Sequence, residues 1–410
     1  MKEFIKPFFS IFSVGFFLFS ISILLPFNLR NLPFILFALL AIYFLGQSKV
    51  NLDPKYNALL CINGSYFVAT LCSMFYTENH LEGMENILSI SPMVISPLVF
   101  YAVYTRFSIN HERATNFLYR GFFYSTVLFF LAILIYSYLK GFITETYLLH
   151  YPERLHVKFG KYSLHPLYAS MFVVISLIFS APIIQDLKRK TSKFAHLLAV
   201  GFLILELLLL ARKAAILISA VIFLYYFIYY KNKRGLIYFL ATLSVFSILA
   251  YTNEFLRGRF VEFTQTLMAL DFKNSGSTST RLQTYSFSLD AILKAPIFGY
   301  GVGDAKDILG QYYAQNNRPY YNAHNQFLGA WLSSGIIGAG SLIIILINGF
   351  KMAIKSRDFI YASVLFLFMS MAFIENILET QTGILLFSFF VNFFAFQGLK
   401  NNISTNKNVY

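Results

Sequence analysis

Apolar residues run through this chain in blocks of about twenty, separated by short polar or basic connections, and one long hydrophilic stretch interrupts the rhythm late in the sequence. A block of that length lets a helix cross a bilayer, since each residue adds about 1.5 Å toward a hydrocarbon core of about 30 Å. The pattern predicts about twelve spans, at 8–25, 32–46, 57–76, 87–105, 117–139, 165–184, 196–211, 214–230, 235–252, 326–350, 359–376 and 383–399. The second and seventh are short, as tilted or re-entrant segments are. Between the ninth and tenth lies the hydrophilic region 253–325, and smaller polar insertions at 77–86 and 140–164 fall on the same side by parity. The chain therefore reads as an all-α polytopic membrane protein. Helices 1–9 occupy 1–252, a large loop 253–325, and helices 10–12 with a tail 326–410.

The loop carries its own structure. From Arg281 to Ala295, residues Leu282, Tyr285, Leu289, Ile292 and Leu293 recur at helical spacing and predict an amphipathic helix. Pro296 ends it, Gly299–Gly303 predicts a tight turn, and 271–280 (DFKNSGSTST) reads as a flexible connector. A loop with helices of its own over a membrane bundle suits a lid or a site better than a tether.

Charge sets the orientation. With the N-terminus inside, 19 of the 33 lysines and arginines fall in inside segments, 7 in short outside connections, and the rest in the long loop, which is a poor reporter. Both termini are thus expected in the cytoplasm, with the loop facing outward, into the periplasm of a bacterial inner membrane. Basic inside loops account for the formal charge of +14 without nucleic acid. The 48 Phe and 28 Tyr are expected to face lipid and the interfaces. Cys61 and Cys72, about three turns apart on one helix, read as buried packing residues and not as a disulfide. Lys2 and Lys6 precede an apolar run that reads as an uncleaved first span. No zinc-ligand spacing occurs, and Gly299-Tyr300-Gly301-Val302-Gly303 lacks the lysine of a nucleotide-binding loop.

Candidate chemistry gathers on the outer side. His324 sits where the polar loop meets the tenth apolar run, next to lipid, where a histidine can take or give a proton. A lone histidine there is often only a packed residue. Here Asn325 is placed to orient the ring, Tyr320 and Tyr321 supply aromatic surface and hydroxyls, and Gly335 and Gly338 allow close helix approach deeper in the membrane. Arg281 opens the loop helix at its N-terminal end, where helix dipole and guanidinium both favour an anion. Arg212 and Lys213 occupy a tight outer turn against the inside-positive trend, suited either to phosphate or to lipid headgroups. Glu206, inside the seventh span, is placed to pair with Arg212. His165 starts the sixth span on the same side, to line the same cavity or pack at a helix start. Glu375 and Glu379, one turn apart at the outer end of the eleventh span, are suited to sugar hydroxyls or an arginine. Asp290 reads as solvated, and His111-Glu112 lacks the second histidine of a metalloprotease motif.

Three elements follow one another in the late part of the chain: Lys294-Ala295-Pro296-Ile297-Phe298-Gly299-Tyr300-Gly301-Val302-Gly303 behind an arginine-led helix, then Ala323-His324-Asn325-Gln326-Phe327-Leu328, then Gly335-Ile336-Ile337-Gly338. This succession, within a twelve-span plan with its large loop between spans nine and ten, resembles the O-antigen ligase family. That family also takes in O-antigen polymerases and bacterial protein O-oligosaccharyltransferases, which the motifs do not separate. The resemblance implies transfer of a glycan from undecaprenyl diphosphate to an acceptor hydroxyl, such as lipid A–core, with no metal, cofactor or nucleotide sugar. His324 falls on the family's functional histidine. Arg281 falls on its loop arginine and Arg212, by position, on the arginine after the seventh span; both are associated with the donor diphosphate. The chemistry agrees: a neutral histidine suits removal of a hydroxyl proton, and fixed arginines suit a departing diphosphate. With no carboxylate pair placed for a covalent glycosyl intermediate, the expected course is a single inverting displacement. The alternative from another class, a flippase for lipid-linked oligosaccharides, would show an internal repeat and charges spread through the spans. The chain shows neither.

Overall fold

An apolar run in lipid must satisfy its own peptide groups, so each expected span should close as a helix. The structure, a computed structural model, describes residues 15–46, 54–106, 111–143, 147–233, 235–237 and 277–407, with isolated positions between 240 and 261. Among these it is helical, with no strand. The first half holds α1 (Leu32–Gly46), α2 (Pro54–Cys72), α3 (His80–Ile90), α4 (Pro92–Arg106), α5 (His111–Leu139), α6 (Tyr147–Val157), α7 (Pro166–Asp186), α8 (Lys190–Leu209) and α9 (Lys213–Tyr229). The second holds α10 (Ser277–Lys294), α11 (Ala305–Gln315), α12 (Gln326–Lys355), α13 (Phe359–Ala372) and α14 (Gln381–Lys407). Among the described residues, seven helical stretches are long and apolar enough to cross a membrane, and three shorter apolar helices accompany them. The ninth expected span and the loop up to 276 lie outside the described residues, apart from isolated positions, as do the start of the first span and most of the 271–280 connector.

Several boundaries differ from the expectation. The seventh span is not short: α8 takes in the polar turn from Lys190 and runs 20 residues. The fourth is preceded by α3, which fills most of the insertion 77–86; Asn79 caps it by accepting from the Glu82 amide at 3.2 Å. The insertion 140–164 contains α6, and the Gly299–Gly303 turn leads into α11. The loop helix begins at Ser277, so the end of the supposed connector is its first turn.

α7 and α14 are apolar on every face and lie in the middle of the bundle, as such helices must. α14 packs on α4, α7 on α5, and α12 on α2 and α13. Much of the phenylalanine expected to face lipid fills this interior instead. Phe16, Phe100, Phe389 and Phe393 are fully buried, with centroids of Phe100 and Phe389 5.2 Å apart and of Phe16 and Phe393 5.4 Å apart. Cys61 and Cys72 are free and exposed on α2, not buried as expected.

α10 and α11 form a small second core with the start of α12, from Ala291, Ile292, Leu309, Tyr313, Ala323 and Leu332. Just below it α12 breaks: Ser334 has φ −124° and Gly335 has φ 65°, ψ −162°. The Pro296–Gly301 segment lies against the break. Tyr300 N donates to Leu332 O at 2.8 Å, Gly301 N to Ser333 O at 3.0 Å, and Ile336 N to Ile297 O at 3.2 Å. Peptide groups freed by the break are thus satisfied by the loop. A Cβ on Gly335 would collide with the Ile297 carbonyl. Gly335 therefore admits the loop backbone, where close packing of two helices was expected.

Candidate active site

Polar residues just before an apolar helix cap it, and Asn325 does so here. Its side chain accepts from Phe327 N at 2.9 Å and Leu328 N at 3.1 Å. It is thus spent on the N-terminus of α12 and does not orient the His324 ring, as had been expected. His324 precedes it with φ 45°, a left-handed conformation unusual for a residue with a side chain. The neighbours hold it there. Its amide donates to Asn322 Oδ1 at 3.1 Å, and its carbonyl accepts from the Tyr285 hydroxyl at 3.2 Å. Non-glycine residues in this region cost of order 1–3 kcal/mol and cluster where function fixes the chain.

The orienting group is Glu375. It lies beyond the end of α13, in a connection that interlocks with the start of α12: Asn325 N donates to Asn376 Oδ1 at 2.8 Å and Leu378 N to Gln326 Oε1 at 2.7 Å. Glu375 and Glu379 therefore flank this connection and are not consecutive on a helical face. His324 Nδ1 is 2.9 Å from Glu375 Oε2, and Arg281 Nη2 is 2.9 Å from Glu375 Oε1. Arg281 Nε also donates to the Ile374 carbonyl at 3.2 Å. Burial raises the Glu375 carboxyl, but the His324 hydrogen bond and the nearby His324 and Arg281 charges outweigh it and hold it below the ordinary carboxylate range. An ionised Glu375 accepts, so Nδ1 carries the ring proton and, in the neutral imidazole, Nε2 keeps its lone pair. Arg281 is the fifth residue of α10. Being a turn inside the helix, it does not add to the field of the helix end.

His324, Arg281 and Glu375 open on a cavity of about 1140 Å³ that also takes in Arg212, His165, Tyr321 and Glu379. Arg212 reaches it from the turn before α9, where Ala211 has φ 49°. Lys213, the first residue of α9, is not part of the wall. His165 serves in both expected ways. It caps α7, its Nδ1 accepting from Leu167 N at 3.3 Å, and it lines the cavity. Burial first, then the charges of Arg212 and His156, lower it to about 4, so the ring stays neutral with its proton on Nε2. His156, with its ring centroid 5.0 Å from that of His165, and Lys161 extend this basic wall. Tyr321 stands 5.8 Å from the His324 ring, centroid to centroid. Glu379 accepts from Asn322 Nδ2 at 3.0 Å and from Asn376 Nδ2. Its crowding among protein atoms raises its carboxyl above the ordinary range against those two bonds.

Other candidates settle elsewhere. Glu206 is buried and accepts from the Tyr151 hydroxyl at 2.7 Å, a partner from the insertion 140–164. Asp290 is exposed on α10. Tyr285, which fastens His324 to the Phe373 carbonyl at 2.7 Å, had been read only as part of an apolar face. His156 and Lys161 carried no local signal, because the segments meet only in the fold.

An uncharacterized protein of Haemophilus influenzae (strain ATCC 51907 / DSM 11121 / KW20 / Rd) is 23% identical over 361 residues, covering 83% of this chain and 84% of its own length. Residues 197–343, from α8 to just beyond the break in α12, match the O-antigen ligase family. That segment carries Arg212, Arg281 and His324, while His165, Glu375 and Glu379 lie outside it. Over that segment the chain is similar to the O-antigen ligase family.

Proposed function

We propose that the protein transfers a glycan from a polyprenyl-diphosphate carrier to an acceptor hydroxyl at the periplasmic face of the inner membrane. The observation that carries this reading is the His324–Glu375 pair, opening on a cavity that also holds two arginines. In this reading the acceptor hydroxyl gives its proton to His324 Nε2 as its oxygen attacks the anomeric carbon. The bond from that carbon to the diphosphate oxygen breaks, and its electron pair leaves with the diphosphate. Glu375 holds the imidazole in the required tautomer and stabilises the imidazolium as it forms, much as the aspartate does in a hydrolase triad. Arg212 and Arg281 stabilise the charge growing on the diphosphate, with guanidinium geometry suited to paired phosphate oxygens. The diphosphate is already a good leaving group, so no general acid is required, and a single displacement inverts the anomeric carbon.

The test is transfer by purified protein from undecaprenyl-diphosphate-linked glycan, with EDTA present, to lipid A–core and, separately, to a second lipid-linked repeat. Product on the first acceptor identifies a ligase and on the second a polymerase. His324→Ala should insert and fold yet lose about 10²- to 10⁴-fold in rate. Near-normal transfer by that variant at matched expression would remove His324 from the chemistry.

A further inference from the structure

We infer that the wall of the cavity around Glu379, Asn322, Asn376, Thr380, Thr382 and Tyr321 is a carbohydrate subsite that binds the hydroxyls of the acceptor sugar. The inference rests on the transferase reading and adds to it the residues that read the acceptor.

The cavity is chemically divided. Arg212, Lys161, His156 and His165 form a basic set contributed by the turn before α9, the end of α6 and the segment leading from it into α7. The six residues around Glu379 come from the connection before α14, from the first residues of α14 and from the segment leading into α12; none of them is a cation, and the nearby Arg281 and His324 are engaged by Glu375. They offer one carboxylate, two amides and three hydroxyls. A carboxylate repels phosphate, so this wall is unsuited to the carrier's diphosphate. Neutral hydroxyls that donate and accept at fixed spacing match it.

Glu379 is placed for that task. Asn322 donates to one of its oxygens and Asn376 to the other, which fixes the plane of the carboxylate. Each oxygen retains lone-pair capacity for a donor from the cavity, onto which the residue is exposed. Asn376 is itself buried and held from behind by the Asn325 amide. Tyr321, 40% exposed, offers a flat apolar face beside the His324 ring, as sugar rings require for their C–H faces. A hydroxyl of a ring seated here lies next to His324, and the remaining hydroxyls are read by Glu379 and its neighbours. Sites built to hydrogen-bond a hydroxyl discriminate strongly against ligands that lack it.

The experiment is direct binding, without any donor, to the full-length protein in detergent. The probes are core oligosaccharide released from lipopolysaccharide by mild acid, the free oligosaccharide repeat, and undecaprenyl diphosphate. Wild-type protein should bind one of the oligosaccharides, and Glu379→Gln and Tyr321→Leu should each weaken it by about 10- to 100-fold, with undecaprenyl diphosphate binding unchanged. Absence of binding to both oligosaccharides would overturn the subsite. So would unchanged oligosaccharide binding by the two variants, or equal loss of diphosphate binding. Because no transfer step enters the measurement, a wild type that binds sugar but transfers nothing would count against the transferase reading and leave the subsite standing.

Discussion

Glu375 accepts from His324 and Arg281 at once, and exchanging it for glutamine separates its charge from its shape. The amide oxygen still fits the Nδ1 proton, but the charge that stabilises an imidazolium is lost. Glu375→Gln should therefore fold, bind donor and lose about 10²- to 10⁴-fold in transfer rate; transfer at the wild-type rate would reduce Glu375 to a packing role. The same residue gives a pH signature. Its folded-state value lies below that of an unfolded glutamate, so its contribution to stability is fully present above the ordinary carboxylate range. It is lost as pH falls through the lowered value. Melting temperatures in detergent between about pH 7 and pH 3 should accordingly separate wild type from Glu375→Gln at the neutral end and converge at the acid end. Curves that stay parallel would mean that folding does not shift the Glu375 carboxyl.

Among the elements, the broken helix α12 carries the sharpest expectation. Gly335 is left-handed and faces the Ile297 carbonyl, so Gly335→Ala meets both backbone strain and collision. A loss of stability of at least about 1–3 kcal/mol is expected, read as a lowered unfolding midpoint of the purified protein. An unchanged midpoint would mean that α12 is not broken there. The long helices were legible because twenty apolar residues leave the chain no other way to satisfy its backbone in lipid. α3, α6 and α11 were not, since 11 residues of mixed polarity carry too little period and α6 also contains Pro152. In the site, His324 stood out as a polar residue at an apolar border. Its partner did not, because 51 residues separate it from Glu375 and no local pattern encodes that meeting. Asn325 was misread although the cue was present: an asparagine directly before an apolar helix is a cap first.

For the whole molecule, the decisive matter is which way the cavity faces. The segments expected on the outer side by charge and parity do gather at one end of the bundle, where Glu78 N and Asn79 N donate to Asp304 at 2.7 and 2.8 Å and His324 meets Glu375. With Cys61 and Cys72 both replaced by serine, Asp290→Cys should react with an impermeant thiol reagent in cells whose outer membrane alone is permeabilised. Reaction only after the inner membrane is lysed would invert the orientation. The seam at Gly335 bears on how such proteins can be recombined. The donors and acceptors of the interrupted helix are completed by Pro296–Gly301, so neither strip is self-sufficient. A chimera that transplants the outer loop from a relative while keeping the resident helix leaves those main-chain groups paired only where the new loop follows the same path against the break. Exchanging both sides of the seam together preserves that path, and in that sense 296–301 and 332–336 form one module written in two places.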